Sequence, residues 1–190
     1  MSETMDTIEM NSPETDSAYC VFCRSGSEQK AAREINERFP GLRAIAPVRI
    51  VREKHGRAWI DREIPILPGY LFLFADRDLP GGLCSKVHSL FRILGCDETC
   101  RRLHGDDLLY ATWMNTHHGR IGPSRILLAE NQKARIIDGP LADIQGTIKK
   151  LDRHKRRAIL EFPFAGQLRT VSVSVEFLTS EDTLSTESAS

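Results

Sequence analysis

The residues of this 190-residue chain whose types could do chemistry unaided are its five cysteines, Cys20, Cys23, Cys84, Cys96 and Cys100. Cys20-x-x-Cys23 followed by Cys96-x-x-x-Cys100 has the residue count of a zinc quartet. An extended segment over residues 19–23 argues against that use. Side chains alternate along a strand, so positions three apart face opposite sides and cannot grip one ion without a bend. An odd number of cysteines in a chain with no export signal argues equally against a disulfide framework. The expectation is buried, reduced thiols, with no metal and no cofactor. His117-His118 is a poor metal pair, because neighbouring side chains on a helix point about 100° apart; it suits a helix C-terminus. There is no P-loop, no dinucleotide fingerprint and no nucleophile–base set with local motif support, so the chain is not expected to be an enzyme and carries no catalytic residues.

The other concentrated chemistry is basic. Lys149, Lys150, Arg153, His154, Lys155, Arg156 and Arg157 fall within nine positions. Asp152 to Lys155 reads as a hairpin tip with bases on it and on both shoulders, an arrangement that is usually a solvated face and that also suits phosphate contact on folded RNA. A second basic tip, Arg49, Arg52, Lys54, His55 and Arg57 near Trp59, reads as an exposed ribbon or as an approach to DNA. Formal charge is zero from 26 bases and 26 acids, unevenly spread. Leaving out the five acids of residues 1–17 and the three of the tail leaves 18 acids against 26 bases, a body near +8 that fits a polyanion partner.

These groups must be held by regular elements. The most hydrophobic stretch is Ile64-Pro65-Ile66-Leu67-Pro68-Gly69-Tyr70-Leu71-Phe72-Leu73-Phe74, in which two prolines frame an apolar turn and Gly69 opens into a buried strand. Lacking donor N–H groups, Pro65 and Pro68 belong at a sheet edge or outside it. Tyr19 to Cys23 is a first strand. Ser25 and Glu28 at capping-box spacing start a helix whose apolar stripe is Ala31, Ala32, Ile35 and Phe39. Leu42 to Val51 is strand, and Lys54-His55-Gly56-Arg57 turns a long hairpin. A short helix near 83–88, a strand over 90–94 and a helix from Asp106 to about His117 follow, giving a split βαβ, ferredoxin-like order with an appended helix.

Beyond residue 120 the period changes to two. The clearest case is Val171, Val173, Val175 and Phe177 against Ser172, Ser174 and Glu176. Short strands broken by Asp138-Gly139-Pro140 and Ala165-Gly166 predict a small barrel. The expected fold class is therefore α+β. Its divisions are a disordered acidic N-terminus (1–17), a first domain (18–119), a linker (120–130), a barrel domain (131–178) and a disordered tail (179–190). No apolar stretch is long enough to span a bilayer, and an N-terminus without bases resembles neither a signal nor a transit peptide, which points to the cytoplasm.

Three segments in order carry a family resemblance: Tyr19-Cys-Val-Phe-Cys-Arg-Ser-Gly-Ser-Glu28, Leu67-Pro68-Gly69-Tyr70-Leu71-Phe72, and Ile136-Ile-Asp-Gly-Pro-Leu-Ala-Asp-Ile-Gln-Gly-Thr-Ile148. Together they resemble the NusG family of bacterial transcription elongation factors, the third being similar to the KOW motif. The resemblance spans about residues 18–178. It implies a ferredoxin-like N-terminal domain and an SH3-like KOW barrel. The first would seat on the clamp helices of RNA polymerase through an apolar depression, here Tyr19, Ile66, Leu67, Pro68, Tyr70 and Phe72. The basic segment resembles the LoaP branch, processive antiterminators. That branch implies nascent RNA, a leader hairpin, as the partner of Lys149, Lys150, Arg153, His154, Lys155, Arg156 and Arg157; in such a complex the tip from Arg49 to Arg57 would approach upstream or non-template DNA, and a monomeric protein is expected. The competing reading is a general elongation factor whose barrel recruits ribosome or the termination factor Rho, without direct RNA recognition. A zinc or thiol-redox enzyme built on the cysteines is the third.

Overall fold

The computed structural model of the protein describes residues 17–95, 102–128, 134–144 and 147–178. The acidic N-terminus up to residue 16, Cys96, Cys100 and the tail from residue 179 lie outside the described residues.

β1 (Ser17–Cys23) lies inside a four-stranded sheet of order β2-β5-β1-β6, with β2 (Leu42–Ile45), β5 (Tyr70–Ala75) and β6 (Leu90–Ile93). Every pairing is antiparallel. Alternation divides its residues between two faces. Tyr19, Val21 and Cys23 with Leu71, Leu73 and Ala75 form one core with Ala31, Ala32 and Ile35 of α1 (Glu28–Arg38) and Leu83 of α2 (Leu83–Lys86). Ala18, Cys20, Phe72 and Phe74 belong to a different core.

Between β2 and β5 the chain leaves this sheet at Ala46-Pro47 and makes the expected hairpin, β3 (Val48–His55) and β4 (Ala58–Pro65), turning at Gly56 with φ +63°. Pro65 is the last residue of β4, an edge strand, so its missing N–H breaks no ladder. The expected capping box does not form: no side chain caps α1. Glu28 instead is buried and accepts a 2.6 Å hydrogen bond from the Gly69 N–H, because that donor lies inside the Leu67–Tyr70 turn and needs an acceptor.

α3 (Gly105–Thr116) precedes the second module, which is a five-stranded sheet of order β10-β11-β12-β8-β9. Its strands are β8 (Ser124–Leu128), β9 (Ala134–Asp138), β10 (Thr147–Asp152), β11 (Arg157–Phe164) and β12 (Gln167–Leu178). Val171, Val173 and Val175 are buried, as the alternation predicts. Much of the segment expected as a linker is strand. β7 (Arg120–Ile121) pairs parallel with β3, and β8 pairs parallel with β12. Both pairings reach partners distant in sequence, and Ile121 and Ser124 are fully buried. The Ser124 hydroxyl accepts the Leu141 N–H at 2.9 Å, and Gly139, at φ +89°, packs so closely on Ser124 that a Cβ would meet its Cα at 2.7 Å.

The two modules share a core. The inward face of β11 runs from Ala158 and Leu160 to Phe162 and Phe164, which extend past the second sheet and enter the face of the first. Phe162 stacks on Tyr110 of α3 (centroids 4.1 Å, 11° between planes), and Phe164 stands edge-on to Phe72 at 5.6 Å. Trp113 donates its indole N–H to Pro140 O at 2.8 Å, and Asp107 accepts the Ala165 N–H at 2.8 Å. Along the far edge, the Ser174 hydroxyl donates to Ile50 O at 2.8 Å and the Arg49 guanidinium to Ser172 O. Burying two phenylalanines contributes about 1.5–3 kcal/mol each, with about 0.5–1.5 kcal/mol more per aromatic pair, before ordering entropy is subtracted.

Candidate binding surfaces

The apolar surface is set by the Leu67–Tyr70 turn and the strand that follows. Tyr70 N–H bonds Leu67 O at 3.1 Å and Ile66 N–H bonds Pro47 O at 2.9 Å, fixing the entry into β5. Gly69 has φ +83°, and a Cβ there would lie 3.1 Å from Ser25 Oγ and 3.3 Å from the Phe22 ring. Only glycine fits both that dihedral and that space.

The six residues expected to line one depression are divided by the pleat. Ile66, Leu67, Tyr70 and Phe72 come together on the face shared with the second module, with Pro68 exposed at its rim. Tyr19 does not join them: it pairs with Leu73, faces α1 and α2, and is 4% exposed. Odd positions of β1 face the helices, whereas Phe22, opposite Tyr70 in the ladder and 5.3 Å from its ring, takes the place expected for Tyr19. Phe22, Phe74 and Tyr110 are the residues the sequence reading missed. The alternation Tyr70, Phe72, Phe74 held the signal for Phe74. Phe91, half exposed, extends the patch past Phe22 at 5.3 Å. Phe72 is fully buried, and its cover is supplied by Phe164 of the second module and Tyr110 of α3.

The basic hairpin tip forms as expected. Residues 153–156 turn between β10 and β11, Asp152 accepts the Lys155 backbone N–H at 2.9 Å, and Arg156 takes φ +48°. That hydrogen bond holds the Asp152 carboxyl below the usual carboxylate range, with Lys155, Lys150 and His154 adding smaller effects. The seven expected bases are not equivalent. Lys149 is ion-paired with Glu161 at 2.8 Å, whereas Lys150, Arg153, His154, Lys155 and Arg156 are exposed and Arg157 is half-buried. His154 to Arg157 line a groove of about 640 Å³ whose opposite wall is β3 of the first module, so docking brings the two basic hairpins together.

The cysteines follow strand geometry. Cys20 belongs to the shared core and Cys23 to the helix-covered core, on opposite faces of β1. Burial pushes the Cys20 thiol far up, and burial followed by the nearby Glu28 raises Cys23 to about 11, so both stay protonated at neutral pH. Among the described residues no group of three His, Cys, Asp or Glu side chains could hold a metal ion, and no helix is long and apolar enough to cross a membrane.

Fold and surfaces together define a mixed α/β chain of two modules that packs an aromatic sheet face beneath its second module and presents a basic hairpin. No protein-family model and no curated protein matches the chain. Among solved structures it is similar to one from Thermotoga maritima, described as "Domain interaction in Thermotoga maritima NusG", at 16% identity and a TM-score of 0.47, over 84% of this chain and 93% of that one.

Proposed function

We propose that the protein is a transcription elongation and antitermination factor of the NusG type, in the LoaP-like branch. In this reading residues 18–119 form the ferredoxin-like polymerase-binding domain, and residues 124–178, which include the β8 strand first expected to be linker, form the KOW domain. The observation that carries it is the ownership of the aromatic sheet face. Phe72 is covered by Phe164 of the other module, a cover that can be exchanged for a partner without unfolding the sheet. Amphipathic aromatics such as Tyr70 give much contact area at little entropic cost and suit the centre of an interface. The docking set on RNA polymerase is Phe22, Ile66, Leu67, Pro68, Tyr70 and Phe72, and Tyr19 supports it from the far side of β1. Because the barrel occupies this face, polymerase binds after the barrel withdraws.

Arg153, His154, Lys155, Arg156 and Arg157, with Lys150 beside them, contact the phosphates of a nascent RNA hairpin. The pinned turn supports this role, since bases on a rigid tip lose little freedom on binding. The experiment is transcription past a terminator by purified core polymerase with the full chain and a leader RNA. Read-through that depends on both protein and leader supports the reading. Failure to retain polymerase with the cognate leader present overturns it.

A further inference from the structure

We propose that the groove between the β3–β4 hairpin and the β10–β11 hairpin is one composite site for the phosphate backbone of a paired RNA stem, assembled only while the two modules are docked. This rests on the RNA reading above and adds a second wall and a condition to it. Arg52 stands on one side and Lys155, Arg156 and Arg157 on the other, with Ile50, Val51 and Val175 between. The walls come from segments about a hundred positions apart in sequence, and neither module forms the groove alone.

The groove gathers bases from both hairpins. Some neighbouring bases meet carboxylates: Arg62 with Glu53, Arg120 with Glu63, Arg125 with Asp138 and Lys149 with Glu161. In the groove, among the described residues, Arg52, Lys155, Arg156 and Arg157 have no acid side chain within 4 Å. Four permanent bases face Asp61 and Glu176, and Asp61 lies opposite Arg52 in the β3–β4 ladder. Docking also draws Arg157 toward the half-buried Arg49; burial first and then Arg157 lower the pKa of that guanidinium. Two like charges brought together at a junction cost free energy that a polyanion offsets.

The lining also selects among nucleic acids. No Phe, Tyr or Trp lines the groove among the described residues, so the stacking platform that single strands need is lacking. Arg and Lys on two walls instead suit the phosphates of a duplex stem, read by shape. By reciprocity, RNA held across both walls favours the docked form, and release of the barrel leaves RNA with the hairpin tip alone.

The test measures binding of a fluorescent RNA stem-loop to the full chain across salt. The variants are Arg52→Gln, Lys155→Gln/Arg156→Gln, the undocking variant Phe164→Ala, and Arg52→Gln combined with Phe164→Ala; thermal melts check folding. Loss of one phosphate contact weakens binding about fivefold and lowers the log–log salt slope by about 0.9. Arg52→Gln is expected to show that loss in the docked chain and none in the Phe164→Ala background, where Lys155→Gln/Arg156→Gln still weakens binding. If Arg52→Gln has no effect while the tip variant does, the composite site is refuted and RNA binding by the barrel stands. Equal loss in both backgrounds refutes the dependence on docking. If neither variant changes affinity, RNA recognition itself fails. Tighter binding of duplex DNA of the same sequence overturns the RNA assignment.

Discussion

Phe164→Ala should open the molecule. Phe164 is 2% exposed and lies 5.6 Å from the Phe72 ring and 5.3 Å from Tyr110, at the end of β11 where its ladder partner is Gln167 of β12 rather than a barrel-core residue. A buried Phe→Ala change costs about 3–5 kcal/mol in a core. Here much of that loss falls on docking, because the ring's neighbours belong to the other module. Taking about 2 kcal/mol, the value of burying one such side chain, the open-to-closed ratio rises about thirtyfold. If polymerase needs the exposed face, its apparent affinity rises by the same factor until the open form predominates. Trp113 reports the opening, since its buried indole donates to Pro140 across the junction; Trp59→Phe makes it the sole tryptophan. A red-shifted emission with tighter retention of core polymerase is expected. A red shift with unchanged affinity would show that the covered face is not the polymerase surface, and unchanged emission would refute the assignment of Phe164 to docking. Asp107→Asn, which weakens the contact to the Ala165 N–H without touching the barrel, should move both readouts the same way by less.

Other outcomes follow from single contacts. Glu28→Ala strands the buried Gly69 N–H and should destabilise the first module by about 1–3 kcal/mol in denaturant melts, whereas Glu28→Gln, which keeps a carbonyl acceptor, should cost less; equal losses would show that the Gly69 contact is incidental. Cys20 and Cys23 should resist alkylation at neutral pH in the native chain and react after denaturation, as read by peptide mass spectrometry; rapid native labelling of either contradicts their burial. The Arg125 side chain holds the Asp138 carboxyl below its ordinary 3.8, so the ionised form favours the folded state. Its contribution is complete above that value and is lost as pH falls through the lower folded value. The Tm difference between wild type and Asp138→Asn should therefore be constant above about pH 5 and close on acidification; a difference independent of pH would show that the pair does not act through charge.

Local chemistry was legible in the sequence, and long-range occupancy was not. The Gly56 and Asp152 turns, the Val171–Val175 alternation and the opposed faces of Cys20 and Cys23 depend on dihedrals and period, which neighbouring residues state directly. Tyr19 lies on the face opposite to the one the resemblance implies, because a resemblance carries a residue's position whereas the pleat decides its direction; Cys20 opposite Phe72 puts Phe22 on that face instead. Residues 120–128 read as a linker because Gly122-Pro123 punctuates them. Their pairing partners, β3 and β12, lie far away in sequence and leave no local trace. Phe162 and Phe164 show the same limit. Their spacing of two places them on one face of a strand, and nothing in it says that the face belongs partly to another module.

The two proposed surfaces make opposite demands on one equilibrium. On the proposed function polymerase needs the face that Phe162 and Phe164 cover, and the proposed groove needs Arg52 held against Lys155 and Arg156, which requires that cover in place. A full reversal of a two-state population, from 1:99 to 99:1, takes about 5.5 kcal/mol of differential affinity. An Arg52 contact worth about a factor of five supplies roughly 1 kcal/mol, so RNA biases the closed form without locking it. In this proposal, RNA bound in this way favours the closed form until polymerase takes the sheet face. The tip bases then remain on the RNA, because Arg153, Lys155 and Arg156 stay on the barrel when Arg52 leaves. Transfer therefore proceeds without full release of RNA, and polymerase should weaken RNA binding by the Arg52 increment alone. Complete loss of RNA on polymerase binding would contradict this order.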